Sequence, residues 1–283
     1  MLLRRSFHVS SFTREKLSNI KLIKLLREEI QAPLNIVKTA VAEAQPAGDY
    51  DAALQLLKQA MTRRGEKLVA KSVGRQATEG WVIAARSQCG KAASLSILNC
   101  ETDFVAKSDG VVALAQSVGR ALADKAAQGE TSGDDLAPVE QSTIDGLTVD
   151  GQPLSQKLTE SISVFGESIR INRAMTALLG ARKGQVLGIH CHGAPATNNP
   201  TKDVYLGRMG ALVRLTQSAG MDAAVSQLQA DEIAREIVAQ NPDGLEEFWS
   251  LDKVGDKEAR TVRQWAGDDV TIEAWARWER DQS

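Results

Sequence analysis

The chain has 283 residues, 43% of them hydrophobic and 25% charged, with a formal net charge of −2. That is long enough for two or more small domains with a buried core, no apolar run approaches the ~20 residues of a membrane-spanning helix, and the overall charge favours neither a nucleic acid nor a membrane as partner. Its distribution says more: residues 1–80 hold 14 Lys and Arg against 8 acids, a net of +6, while the remainder holds 20 against 28, a net of −8, as expected of separate modules.

The chain opens with MLLRRSFHVSSFTREK, in which Arg4, Arg5 and Arg14 precede the first acid, Glu15. An Arg- and Ser-rich, acid-poor front without a secretory apolar segment has the make-up of a mitochondrial presequence, and we expect one over residues 1–16. Residues 17–60 are expected to form a three-helix module. Leu22, Ile23, Leu25, Leu26 and Ile30 recur at helical spacing. Gln31-Ala32-Pro33 breaks that helix, Leu34, Val37, Val41 and Ala44 mark a second, and Asp49, which ends the turn PAGD, can cap a third. Residues 61–80 are basic and sparse in apolar side chains, and are expected to be a connector with a helical middle.

From Trp81 the period changes. WVIAARS and ASLSILN predict two strands joined at CGK. Residues 110–127 predict a helix, and the polar, Gly- and Asp-rich stretch 128–152 predicts a mobile insertion. A short helix, PLSQKLTESISV, then precedes strands in ESIRINRAMTALL, QVLGIHCHG and VYLGRMGALVRLTQ, an amphipathic helix over 222–239 and a last strand in DDVTIEAWARWER. This order of elements is α+β with antiparallel sheets. We divide the core into a first part, 81–160, and a second, 161–283.

The three cysteines, Cys89, Cys100 and Cys191, are odd in number and widely spaced, so no disulfide framework or zinc finger follows, and a reducing compartment is the default. On a strand His190 and His192 would share a face, but no further ligands are evident and a polar surface role is the better reading; no metal or cofactor is expected. Neither Cys100 nor Cys191 has a base placed beside it by the sequence. No phosphate-binding glycine motif occurs, since CGKAAS lacks the spacing, so no direct nucleotide site is expected. The basic front lacks the interleaved aromatics of a nucleic-acid surface.

One stretch stands apart: NCETDFVAKSDG, residues 99–110. Thr102 or Asp103 could cap the next helix with Phe104 stapled into the core. Yet clear helical periodicity starts only near Gly110, and the aromatic is set among polar residues, which suits an exposed anchor on a supported loop.

LNCETDFVAKSDG also resembles the signature of elongation factor Ts, the family of guanine-nucleotide exchange factors for elongation factor Tu. LREEIQAPLNIVKTAVAEAQPAGDYDAALQLLK is similar to that family's N-terminal ubiquitin-associated-like helical module, RRGEKLVAKSVGRQATEGWV to its basic connector, VFGESIRINRAMTAL and VLGIHCHGA to strands of its core, and VTIEAWARWE to its last strand. The resemblance runs in family order from about residue 17 to 280. It implies a three-helix ubiquitin-associated-like module followed by a two-part core of antiparallel sheets with packed helices. With the presequence, it implies a protein of the mitochondrial matrix whose partner is mitochondrial elongation factor Tu. Thr102, Asp103, Phe104 and Val105 would form the contact that enters the partner's GTPase domain and dislodges its magnesium ion. Lys38, Phe165, Gly166 and His192 would be secondary contacts. Such a protein makes and breaks no bond, so no residue is expected to be catalytic. On the residues alone two other readings stay open, a binding module centred on the helical front and a thiol or metal enzyme centred on Cys191 and its flanking histidines.

Overall fold

The computed structural model describes residues 18–72, 74–130, 136–180, 182–195, 203–217 and 222–281, so the presequence expected over 1–16 lies outside the described residues. The chain divides into two compact units, Met1–Lys67 and Leu68–Ser283.

The first unit holds helices α1 (Asn19–Glu29), α2 (Leu34–Glu43) and the greater part of α3 (Tyr50–Ser72). Leu22 and Leu26 of α1, Val37, Ala40 and Val41 of α2, and Ala53, Leu57 and Met61 of α3 are buried, one stripe per helix at the helical period. Pro33 starts α2 with its fixed φ of −56°, and the Asp49 carboxylate accepts the Ala52 N–H at 2.9 Å at the start of α3. The Tyr50 hydroxyl donates to Glu29, and burial together with that carboxylate pushes the phenol up to about 12. The stretch expected as a connector is helical as far as Ser72. Arg63, Arg64, Glu66, Lys67 and Leu68 are all good helix formers, so the thinning of apolar residues does not end the helix.

The second unit follows with β1 (Glu79–Arg86), β2 (Ala92–Cys100), the single turn α4 (Asp103–Ala106), α5 (Asp109–Lys125), β3 (Ala137–Pro138), α6 (Gln141–Asp145), β4 (Thr148–Val149), β5 (Gln152–Pro153), α7 (Leu154–Phe165), β6 (Ile169–Leu178), β7 (Gln185–His192), β8 (Val204–Gly207), β9 (Met209–Thr216), α8 (Ala223–Gln240), α9 (Leu245–Ser250), α10 (Val262–Ala266) and β10 (Thr271–Glu279). All pairings are antiparallel. One sheet has the order β3-β6-β2-β1-β8, a second β10-β9-β7, and β4-β5 form a small hairpin.

The two larger sheets pack face to face. Val82, Ala84, Leu95 and Ile97 from one meet Leu187, Ile189 and Leu212 from the other. On the far face of the first sheet Trp81, Ile83 and Leu98 pack under Val111, Ala115, Val118 and Leu122 of α5. On the far face of the second, Ala211, Val213 and Leu215 pack under Ile233, Ala234 and Ile237 of α8 and Phe248 of α9. The result is four layers, helix-sheet-sheet-helix. It explains why β2 is buried at every position. Its serines face α5, not solvent, and Ser94 donates to the Gly119 carbonyl at 2.9 Å. At β7 the close approach of α8 demands glycine, because a Cβ on Gly188 would sit 2.1 Å from the Ala230 carbonyl oxygen.

One expectation is corrected, and two others gain detail. The strand read in VYLGRMGALVRLTQ is two strands: β8 pairs with β1 in the first sheet and β9 with β7 and β10 in the second, with the chain crossing between sheets at Arg208. Sheet membership therefore does not follow the division at residue 160, since β6 and β8 complete the first sheet. Within the stretch 128–152, read as a mobile insertion, residues 128–130 belong to the helical turn Ala126–Glu130 that follows α5, and 136–152 carry β3, α6, β4 and the start of β5. Ile144, Leu147 and Val149 are buried against α5 and α7 in the first core, and three apolar side chains spaced through a polar sequence suffice to pin it. Among the described residues no helix is long and apolar enough to cross a membrane.

Candidate functional site

β2 ends at Cys100, and the chain turns through Glu101 and Thr102 into α4, a helix of four residues. One turn of helix fixes several residues for very few hydrogen bonds and does not stand alone. Here it is held at both ends. At its end the Trp81 indole donates to the Ala106 carbonyl at 2.6 Å, Ala106 is buried, and Ser108 donates to the Val105 carbonyl at 2.7 Å. At its start Thr102 is the N-cap, accepting the Val105 N–H at 3.4 Å. The Thr102 N–H and hydroxyl both donate to the Glu167 carboxylate, at 2.9 and 2.7 Å. Glu101 answers in the opposite direction: its carboxylate accepts the Ser168 N–H at 2.8 Å and pairs with Arg75 at 3.1 Å.

Phe104 does not enter the core. It is 88% exposed, the most exposed large apolar side chain among the described residues. Thr102 does cap a helix, but the helix is α4, which carries Phe104 outward. Asp103 precedes it and pairs with Lys107 one turn on at 2.7 Å. The Lys107 hydrogen bond and charge, with Arg208 adding to them, hold the Asp103 carboxyl below the usual carboxylate range. Val105 is half-buried, packed on the first core.

The other sequence-derived residues of this unit fall around the same end of the sheets. Asn99 donates to the carbonyls of Glu79 and Arg280, each at 3.3 Å, and the Arg280 guanidinium pairs with the Glu79 carboxylate. The Arg280 N–H donates to the Arg208 carbonyl at 3.0 Å, and the Arg208 N–H to the His192 carbonyl at 2.7 Å. A continuous set of contacts thus joins the end of β2 to the end of β7, where His192 is exposed. Phe165 and Gly166 stand at the end of α7, beside the start of α5. The Phe165 ring covers Gly110, leaving 3.3 Å to where a Cβ there would stand. Gly166 ends α7 at φ 80°, a left-handed conformation that side chains disfavour, and so turns the chain to bring Glu167 and Ser168 to Thr102 and Glu101. Lys38 is exposed on α2 of the first unit.

Sequence reasoning missed Glu167, Arg208 and the Glu79–Arg280 pair. Their signal is long-range pairing, 65 residues apart for Thr102 and Glu167, which no local period carries. The cysteine and histidine readings gain nothing. The Cys191 thiol lies in the sandwich interior, pushed up to about 12 by burial. Burial, with the charges of Glu167 and Glu79, does the same to Cys100, also to about 12. Among the described residues no group of three or more His, Cys, Asp or Glu could hold a metal ion.

The Glu101 contact makes a pH-dependent contribution. Its carboxyl lies below the usual range because it accepts the Ser168 N–H and faces Arg75. A depressed carboxyl stabilises the fold fully above its unfolded value, about 4.3, and loses that contribution as pH falls through its folded value. In urea titrations Glu101→Gln is therefore expected to unfold earlier than the parent at pH 7, and the gap between their midpoints to close as pH is lowered from about 4.5 towards 3.

Comparison with known proteins identifies the family. Residues 101–267, which begin at the Glu101 turn, match the family described as Elongation factor TS. The chain belongs to the elongation factor Ts family. Relatives in that family include the mitochondrial elongation factor Ts of Schizosaccharomyces japonicus, 33% identical over 94% of this chain and 85% of the relative, and that of Schizosaccharomyces pombe, 29% identical over 91% and 87%. The elongation factor Ts of Amoebophilus asiaticus is 30% identical over 86% of this chain and 75% of its own length. The family match spans the α4 turn, the Phe165–Ser168 turn and Arg208, while the helices of the first unit lie before it.

Proposed function

We propose that this chain is a guanine-nucleotide exchange factor for mitochondrial elongation factor Tu, acting in translation elongation in the mitochondrial matrix. Membership of the elongation factor Ts family supports the exchange role, and the names of the two Schizosaccharomyces relatives support the compartment. The observation that carries the reading to particular atoms is Phe104. A phenylalanine 88% exposed on a turn fastened at both ends is costly in water and suited to insertion into another protein.

In this reading Asp103 and Phe104 enter the partner's GTPase domain and shift the elements that hold its magnesium ion. The ion neutralises the nucleotide's phosphates, so loosening it weakens nucleotide binding. Exchange factor and GDP then oppose each other by the same factor on either side of the cycle. Release quickens, GTP rebinds, and the factor departs unchanged. Val105 and Thr102 hold the wedge, His192 and Arg208 edge the same surface, and Lys38 adds a contact from the first unit, which the reading takes as ubiquitin-associated-like. The test is release of labelled GDP from mitochondrial elongation factor Tu. Substoichiometric amounts of this chain are expected to accelerate it with turnover, and a rate that stays at the intrinsic value would reject the role.

A further inference from the structure

We propose that Glu167 is a positioning residue for exchange: it touches no nucleotide and no partner, but fixes the α4 turn so that Phe104 is presented ready for insertion. The proposal rests on the exchange reading above and extends it to a residue that contributes no wedge surface.

α4 is a single turn of helix. Four residues cannot hold a helical turn by themselves, and the Thr102 cap is a long one, 3.4 Å. Glu167 supplies what the cap lacks. Its two carboxylate oxygens take the Thr102 N–H and the Thr102 hydroxyl separately. The backbone bond satisfies a donor that the helix start leaves free. The hydroxyl bond leaves the oxygen's lone pair directed at Val105. Bonds to an ionised acceptor are stronger than neutral ones. Glu101 and Ser168 make the reciprocal contact at 2.8 Å, so the β2–α4 turn and the α7–β6 turn each donate a backbone N–H to the other's glutamate. Gly166 at φ 80° and the Phe165 ring against Gly110 set where that second turn stands. Phe165 and Gly166, two of the four residues first read as secondary contacts, are thus the footing of the clasp.

The functional consequence is one of population. Only the ordered turn can insert, so if the ordered fraction falls tenfold the apparent efficiency of insertion falls tenfold too. A contact residue and a positioning residue differ in how they combine with Phe104. Once the wedge is removed, its positioning no longer matters, whereas a separate contact would still add its own loss.

The experiment measures catalysed GDP release with the full chain carrying Glu167→Ala, Glu167→Gln, Phe104→Ala and the Glu167→Ala/Phe104→Ala pair, and amide hydrogen exchange over residues 101–107 in the free protein. Glu167→Ala is expected to lower exchange efficiency about tenfold and to speed amide exchange at Thr102, Val105 and Ala106. Glu167→Gln, which keeps one acceptor, falls between. The pair is expected to match Phe104→Ala alone. Full activity in Glu167→Ala while Phe104→Ala is slow would overturn the proposal and leave the exchange reading standing, as would losses that multiply in the pair. Unchanged amide exchange in Glu167→Ala would overturn it without reference to any partner. Full activity in Phe104→Ala would instead remove the wedge reading, and the proposal with it.

Discussion

Phe104→Ala is expected to lower catalysed GDP release by about 100-fold, the usual scale for truncating a central aromatic anchor, while the protein's own unfolding midpoint stays within about 2 °C of the parent. The two halves of that expectation have the same cause. A side chain 88% exposed buries almost nothing on folding, so its loss removes little transfer free energy, and alanine is the better helix former. On the proposed reading, the burial that the fold leaves open to Phe104 is supplied by the partner. The substitution also leaves the supports of α4 in place: Trp81 to the Ala106 carbonyl, Ser108 to the Val105 carbonyl and Glu167 to Thr102. Stopped-flow release of a fluorescent GDP analogue, beside thermal unfolding by circular dichroism, reads both quantities. A parent-like release rate would rule Phe104 out as the wedge, and a large fall in the unfolding midpoint would mean that it serves the fold.

The same residue marks how far the sequence could be read. An aromatic set among Thr102, Asp103, Lys107 and Ser108, ahead of any helical period, already argued for exposure, and the motif around it carried the family. The class, α+β with antiparallel sheets, was equally legible, because strands of period two and helices of period 3.6 alternate clearly from Trp81 onward. What stayed hidden is what depends on the third dimension. Arg208 lies inside one long apolar run, and nothing local says that the strand leaves one sheet there for another. Ser94 and Ser96 mimic a solvent face in a strand covered on both sides. Residues 136–152 read as loop because Ile144, Leu147 and Val149 follow neither period. Glu167 is a glutamate after a glycine until β6 is paired with β2, which places Ile169 opposite Cys100 and so brings Glu167 to Thr102.

That dependence on layer contact also fixes where the largest loss of stability is expected. Arg86, at the end of β1, has a side chain only 7% exposed and is bound by α8, by β7 of the second sheet and by the residue that leads into β8 beside it. Asp231 of α8 takes it with both carboxylate oxygens, at 2.6 and 3.0 Å. Asp203, just before β8, pairs at 3.2 Å, and the Leu187 carbonyl of β7 accepts at 3.2 Å. Asp231 in turn accepts the Ile189 N–H at 2.9 Å, so one guanidinium anchors the helix that covers the β7 edge. Arg86→Ala leaves two carboxylates facing each other without their cation. Breaking a buried pair from one side costs roughly 3–5 kcal/mol, and because both aspartates keep some contact with water we expect about 2–4 kcal/mol here. For a unit of this size that is a fall of about 10 °C in the unfolding midpoint. Arg86→Lys is expected to recover little, since an ammonium cannot make the two-pronged contact with Asp231 while reaching Asp203 and Leu187. Replacing the pair together, Arg86→Met with Asp231→Leu, removes the more closely held of the two stranded charges and should recover part of the loss. At 20 °C each of these variants should still accelerate GDP release, because Arg86 touches none of the residues that hold α4. A variant stable to heat but unable to exchange would place Arg86 in the working surface and break the separation between layer contact and wedge on which this expectation stands.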